Sequence, residues 1–106
     1  MEKIVEKTLL YDFYGELLTD RQKEIFQAVV FDDMSLSEAA EEFGISRQGI
    51  HDLVRRCEKS MTDYEDRLHM IERYEKIKGK VLTLLKTAGT EEEKALLSGI
   101  LADLNS

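Results

Sequence analysis

The chain has 106 residues, 42% hydrophobic and 35% charged, with no proline and a formal net charge of −7 at pH 7. That length favours a single domain, 1–106, and the high charge, missing proline and 3.6-residue apolar period favour an all-α one. No apolar run can span a bilayer, the start Met1-Glu2-Lys3-Ile4 lacks the apolar stretch of a signal peptide, and a lone Cys57 excludes an internal disulfide. The expectation is a cytoplasmic protein with no membrane partner.

Residues 3–18 read as a first helix. Val5, Leu9, Leu10, Phe13, Leu17 and Leu18 form its apolar face, with Tyr14 beside it. Gly15 within that pattern costs roughly 1 kcal/mol against alanine, which a close helix contact would justify. Tyr11, Phe13 and Tyr14 could form a stacking platform, but core packing is the simpler role for Phe13. Thr19 with Gln22 makes a capping box that opens a second helix, about Asp20 to Phe31, with Ile25, Phe26, Val29 and Val30 inward. The pair Asp32-Asp33 reads as a solvated loop rather than a metal site, because no other ligand has suitable spacing.

Ser35 with Glu38 is a second capping box. Ala39, Ala40 and Phe43 follow at helical spacing, and Gly44 stands where the chain must stop and turn. Ile45 can drop into the core, and Ser46 is a good N-cap for the next helix. That helix buries Ile50, Leu53, Val54 and Cys57. The small pair at 39 and 40 permits close helix crossing. Cap, small pair, glycine, apolar follow-on and second cap agree in register with a helix-turn-helix at 35–59, whose second helix docks in the DNA major groove. An ordinary αα-hairpin is the competing reading.

With that stripe buried, the opposite side carries Gln48, Asp52, Arg55 and Lys59, flanked by Arg47 and His51 on one side and Arg56 on the other. Gln suits adenine, Arg guanine, and Asp can accept from cytosine. Arg47, Arg56 and Lys59 suit phosphates. The candidate DNA-binding set is therefore Ser46, Arg47, Gln48, His51, Asp52, Arg55, Arg56 and Lys59. Positive charge concentrates here, against Asp52 and Glu58 only, although the whole chain is acidic. Modest affinity with steep salt dependence is expected for double-stranded DNA.

Ile50, Val54, Cys57, Met61, Tyr64, Leu68 and Ile71 alternate at spacings of four and three, a seam that can wrap another helix. Tyr74, Ile77, Val81, Leu82, Leu84 and Leu85 continue it, within a C-terminal extension over 61–106. Ser60 with Asp63, or Thr62 with Glu65, would mark a break. The seam packs either on the first helices or on a second subunit, as a homodimer through the 57–85 helix. Ala88-Gly89 ends it. Thr90 with Glu93 caps a last helix, about Glu91 to Leu104, whose Leu96, Leu97, Ile100, Leu101 and Leu104 must pack on the long helix or on a partner chain. Nothing resembles zinc spacing, a phosphate loop or a catalytic signature, so no metal, cofactor or enzymatic activity is expected.

The run Leu10 to Thr19, the stretch Leu36 to Asp52, and Tyr64-Glu65-Asp66-Arg67-Leu68 resemble the YlxM family of Gram-positive bacteria over roughly residues 6–86. The resemblance implies an all-helical fold similar to sigma factor region four, with C-terminal helices added. It implies DNA binding and transcription regulation. It also implies a link to the signal recognition particle, because the family's genes lie beside those for that particle. Gly49 and His51 stand where the family pattern leads one to expect alanine and tyrosine. An adaptor contacting signal recognition particle protein or RNA, without DNA, is the alternative, and an acidic chain suits a basic ribonucleoprotein.

Overall fold

The computed structural model describes residues 3–105. Helix α1 spans Lys3–Tyr14, α2 Asp20–Phe26, α3 Leu36–Phe43, α4 Arg47–Leu68, α5 Met70–Thr87 and α6 Glu91–Asn105. No strand occurs among the described residues. Among the described residues, no helix is long and apolar enough to cross a membrane. The chain divides into two compact units, one ending at Leu68 and the other beginning at His69.

In the first unit α1, α2 and α3 all pack on α4. Helix α1 ends earlier than its apolar pattern suggests. Gly15–Leu17 tighten into a 3-10 turn, and Leu18 is extended. A Cβ at Gly15 would lie 3.1 Å from the Tyr11 ring, so that ring packs directly over the glycine backbone. The tighter turn also changes the phase: Leu18 is buried and Leu17 faces out. Val5, expected on the apolar face, is likewise exposed. Tyr14 is 1% exposed and is the largest fully buried side chain of the core. Its hydroxyl donates to Glu65 Oε1 at 2.5 Å, and its ring lies 6.0 Å from that of Tyr64.

Thr19 and Gln22 form both halves of the capping box that starts α2. The helix then widens into a π turn over Gln27–Phe31, closed by Asp32 N–H donating to the Gln27 carbonyl at 3.0 Å. One extra residue in the turn rotates the side chains that come after it. Ala28 is buried, and Val29 and Val30 are only half-buried instead of pointing fully inward. Phe31 can then meet Tyr11 and Phe26, with ring centroids at 5.4 and 5.8 Å. Tyr11 stacks on Phe26, also at 5.4 Å. These rings serve the core rather than a stacking platform.

Helix α4 runs unbroken through Ser60, so neither Ser60 nor Thr62 starts a helix. The interruption falls at His69, whose φ of 55° is left-handed. The 57–85 stretch is therefore two helices, and the seam imagined through it is cut at that residue. The buried stripe of α4 is Ile50, Val54, Cys57 and Met61, with Leu53 half-buried and Leu68 exposed.

In the second unit α5 and α6 pack on each other. The Tyr74 hydroxyl donates to Asn105 Oδ1 at 2.6 Å, which sets the start of α5 beside the end of α6 and makes the pair antiparallel. Thr90 Oγ1 accepts the Glu93 N–H at 3.0 Å, while the Glu93 carboxylate takes the Gly89 N–H at 3.4 Å, one residue before the N-cap. Val81 is the buried residue of α5, and no residue of α6 is buried.

Candidate nucleic-acid interface

Ser35 opens α3: its Oγ accepts the Glu38 N–H at 3.0 Å, and the Glu38 carboxylate accepts the Ser35 N–H at 3.2 Å. The Ser35 bonds hold the Glu38 carboxyl below its ordinary range. Gly44, at φ 71° and ψ 31°, ends the helix in the left-handed region that glycine enters without steric cost. Its N–H and that of Ile45 both reach the Ala40 carbonyl, at 3.0 and 3.2 Å. A further lock comes from α2, where Arg21 Nη2 donates to the Phe43 carbonyl at 2.8 Å. One C-terminal carbonyl that α3 leaves open is thus satisfied by a cation, as the helix dipole favours.

Ser46 then caps α4. Its Oγ accepts the Gly49 N–H at 2.9 Å, and its carbonyl accepts the Ile50 N–H at 2.9 Å. A Cβ at Gly49 would sit 3.1 Å from that same Oγ. Glycine therefore leaves the cap hydroxyl room over the first turn. Ile50 is fully buried, as is Ala39 of α3. These two small or well-packed positions fix the crossing of α3 and α4.

The predicted site residues fall on two parts of α4. Ser46, Arg47, Gln48 and His51 line one open cleft of about 750 Å³, together with Ser35, Leu36 and Ser37 from the start of α3. Two helix N-termini thus flank the cleft, each a region of partial positive charge. Arg55, Arg56 and Lys59 are exposed farther along α4 and do not line it. Gln48 Nε2 donates to Asp52 Oδ1 at 2.9 Å, which orients the amide. His51 Nδ1 lies 3.8 Å from the same carboxylate oxygen. Lys59 pairs with Asp63 at 3.6 Å. Arg47, Arg55 and Arg56 form no ion pair among the described residues. Glu58, the nearest acid to Arg56 in sequence, instead meets Lys7 of α1 at 3.2 Å.

Cys57 is buried behind this surface. Burial first, and then the neighbouring Glu58 charge, push its thiol above the ordinary value. No group of three or more metal-ligating side chains occurs among the described residues. Sequence reasoning missed Arg21 and the Lys7–Glu58 pair, since both link residues distant along the chain.

A capped helix, a left-handed glycine turn and a second capped helix with its polar side outward define a helix-turn-helix protein. The UPF0122 family, described as "Putative helix-turn-helix protein, YlxM / p13 like", matches residues 1–98, and the chain belongs to it. Its relatives include the UPF0122 protein of Halalkalibacterium halodurans, 36% identical over 105 residues that cover 94% of this chain and 95% of that one. The UPF0122 protein of Listeria monocytogenes is 43% identical over 91 residues, 86% of this chain and 82% of that one. The UPF0122 protein of a Thermoanaerobacter strain is 47% identical over 74 residues, 70% of this chain, and the match spans only 63% of that relative's length.

Proposed function

We propose that the protein is a DNA-binding regulator that lays the N-terminal half of α4 in the major groove of double-stranded DNA. The observation that carries this reading is the exposure of Arg47, Arg55 and Arg56 on α4, with no acidic partner among the described residues. Free guanidinium groups on one helix can take phosphates or guanine edges. Gln48, steadied by Asp52, suits an adenine. Ser46 and the two helix starts suit phosphate oxygens beside the cleft.

Selection from a random duplex library, repeated at two salt concentrations, tests the reading. Enrichment of a motif, with binding lost in Arg47→Ala/Arg55→Ala and helicity retained, supports it. Removal of each phosphate contact should flatten the log–log salt slope by about 1, whereas loss of a base contact costs about 1–3 kcal/mol and relaxes one position. Unchanged binding by the double variant removes α4 from the mechanism.

A second reading is favoured by the net charge of −7, which opposes binding to bare duplex but suits a basic ribonucleoprotein particle. In it the same surface contacts signal recognition particle protein or RNA. Capture of that particle's GTPase or RNA by the purified chain, with no duplex motif enriched, would select this reading over the first.

A further inference from the structure

The second unit is smaller than the roughly 40 residues below which a chain usually needs a disulfide, a metal or a partner to hold a core. The sole cysteine is buried in the first unit, and no metal-binding group occurs among the described residues. Yet α5 and α6 expose apolar side chains in an ordered way. On α5 the exposed Met70, Ile77 and Leu84 repeat every seven residues, on one flank of the line through Tyr74 and Val81 that meets α6. On α6 the exposed Leu96 and Ile100 lie one turn apart, beside the half-buried line of Leu97, Leu101 and Leu104. Because the helices are antiparallel, these two flanks fall on the same side of the hairpin. They form one apolar face whose members are 42% to 66% exposed.

The borders of that face carry opposite charge. Helix α5 holds five basic and two acidic side chains, whereas α6 holds four acidic and one basic. At 100° per residue, Arg73 and Lys80 edge the face on the α5 side, and Glu92 and Asp103 edge it on the α6 side. All four are exposed. Such a surface is complementary to itself under a two-fold rotation about an axis parallel to the helices. That rotation lays α5 over the α6 of a second copy and brings the basic border to the acidic one. A rotation that stacked α5 on α5 would oppose like charges.

We infer that this face of the α5–α6 hairpin binds the same face of a second copy of the chain, closing an antiparallel four-helix bundle with α5 against the partner's α6. Self-association of two helical hairpins into such a bundle is a common closure for elements too small to bury their own apolar sides. The pairing does not depend on what α4 binds.

Sedimentation equilibrium on the full chain, from about 1 to 100 μM, tests it, with far-UV circular dichroism as the folding control. The wild type should be a dimer in this range. Leu96→Asp, at the most exposed apolar position, should leave helicity unchanged and weaken association by about tenfold or more. Arg73→Glu/Lys80→Glu should weaken it by a similar factor, and adding Glu92→Lys/Asp103→Lys should restore it. A wild-type monomer at 100 μM would overturn the proposal, as would a charge-reversed variant that dimerises as well as wild type. The first result would mean that the chain itself or a different protein covers the face.

Discussion

Replacing Tyr14 with phenylalanine removes one oxygen from the largest fully buried side chain of the core and leaves its packing in place. The ring keeps its neighbours Tyr64 and Phe13, at centroid distances of 6.0 and 6.3 Å. What is lost is the 2.5 Å bond to Glu65, a length typical of hydroxyl–carboxylate bonds. A hydrogen bond to a charged group contributes about 1.5–3 kcal/mol. Glu65 is only half-buried, so water recovers part of its solvation and the lower end applies. Tyr14→Phe should therefore destabilise the first unit by about 1.5 kcal/mol. At about 4–8 °C per kcal/mol for a domain of this size, the midpoint should fall by about 6–12 °C. Urea unfolding followed by far-UV circular dichroism measures the change. A double-mutant cycle with Glu65→Gln separates the pair from its surroundings and should return a coupling of about 1 kcal/mol. A Tyr14→Phe variant within about 0.5 kcal/mol of wild type, or a cycle that closes with no coupling, would refute the assignment of that bond as a structural tie.

Other outcomes rest on single observations. Gly44→Ala should cost about 1–2 kcal/mol, and no more, because the left-handed φ is strained for alanine but no atom lies within 4 Å of the added Cβ. Thermal unfolding reads this. Ser35→Ala should cost about 1 kcal/mol through loss of the α3 cap. The Glu38 carboxyl lies below its ordinary range, so its contribution is complete above the unfolded glutamate value and is lost as pH falls through the lower folded value. Ser35→Ala should move the Glu38 titration, tracked by carboxyl NMR, back up toward normal. The raised, buried Cys57 thiol should be unreactive to Ellman's reagent in the native state and react promptly in urea.

Much of the helix-turn-helix was legible because its rules are local. Ser35 with Glu38, Thr19 with Gln22, Ser46, and the left-handed need at Gly44 each involve residues within one helical turn. The outward placement of Arg47, Arg55 and Arg56 came from fixing Ile50, Val54 and Cys57 inside. What the sequence could not display depends on residues far apart in the chain. The Tyr14–Glu65 bond spans 51 positions, and Arg21 meets the Phe43 carbonyl from another helix. The break at His69 has no glycine, proline or cap residue to announce it, and Ser60 and Thr62 carried better cap chemistry without being used. The cleft beside Arg47 arises from two helix starts brought together by the turn, so helical periodicity alone could place its lining residues but not its shape.

The widened turn at Gln27–Phe31 amounts to a single-residue insertion that the helix has absorbed rather than expelled as a loop. Straightening the segment to regular α geometry with all its residues kept would swing Phe31 by about 100° away from Tyr11 and Phe26. The aromatic trio would come apart although no ring had been altered. In this stretch, spacing matters as much as residue identity, and a chain shortened by one between Phe26 and Asp32 could run as regular α-helix with Phe31 still turned toward Tyr11 and Phe26.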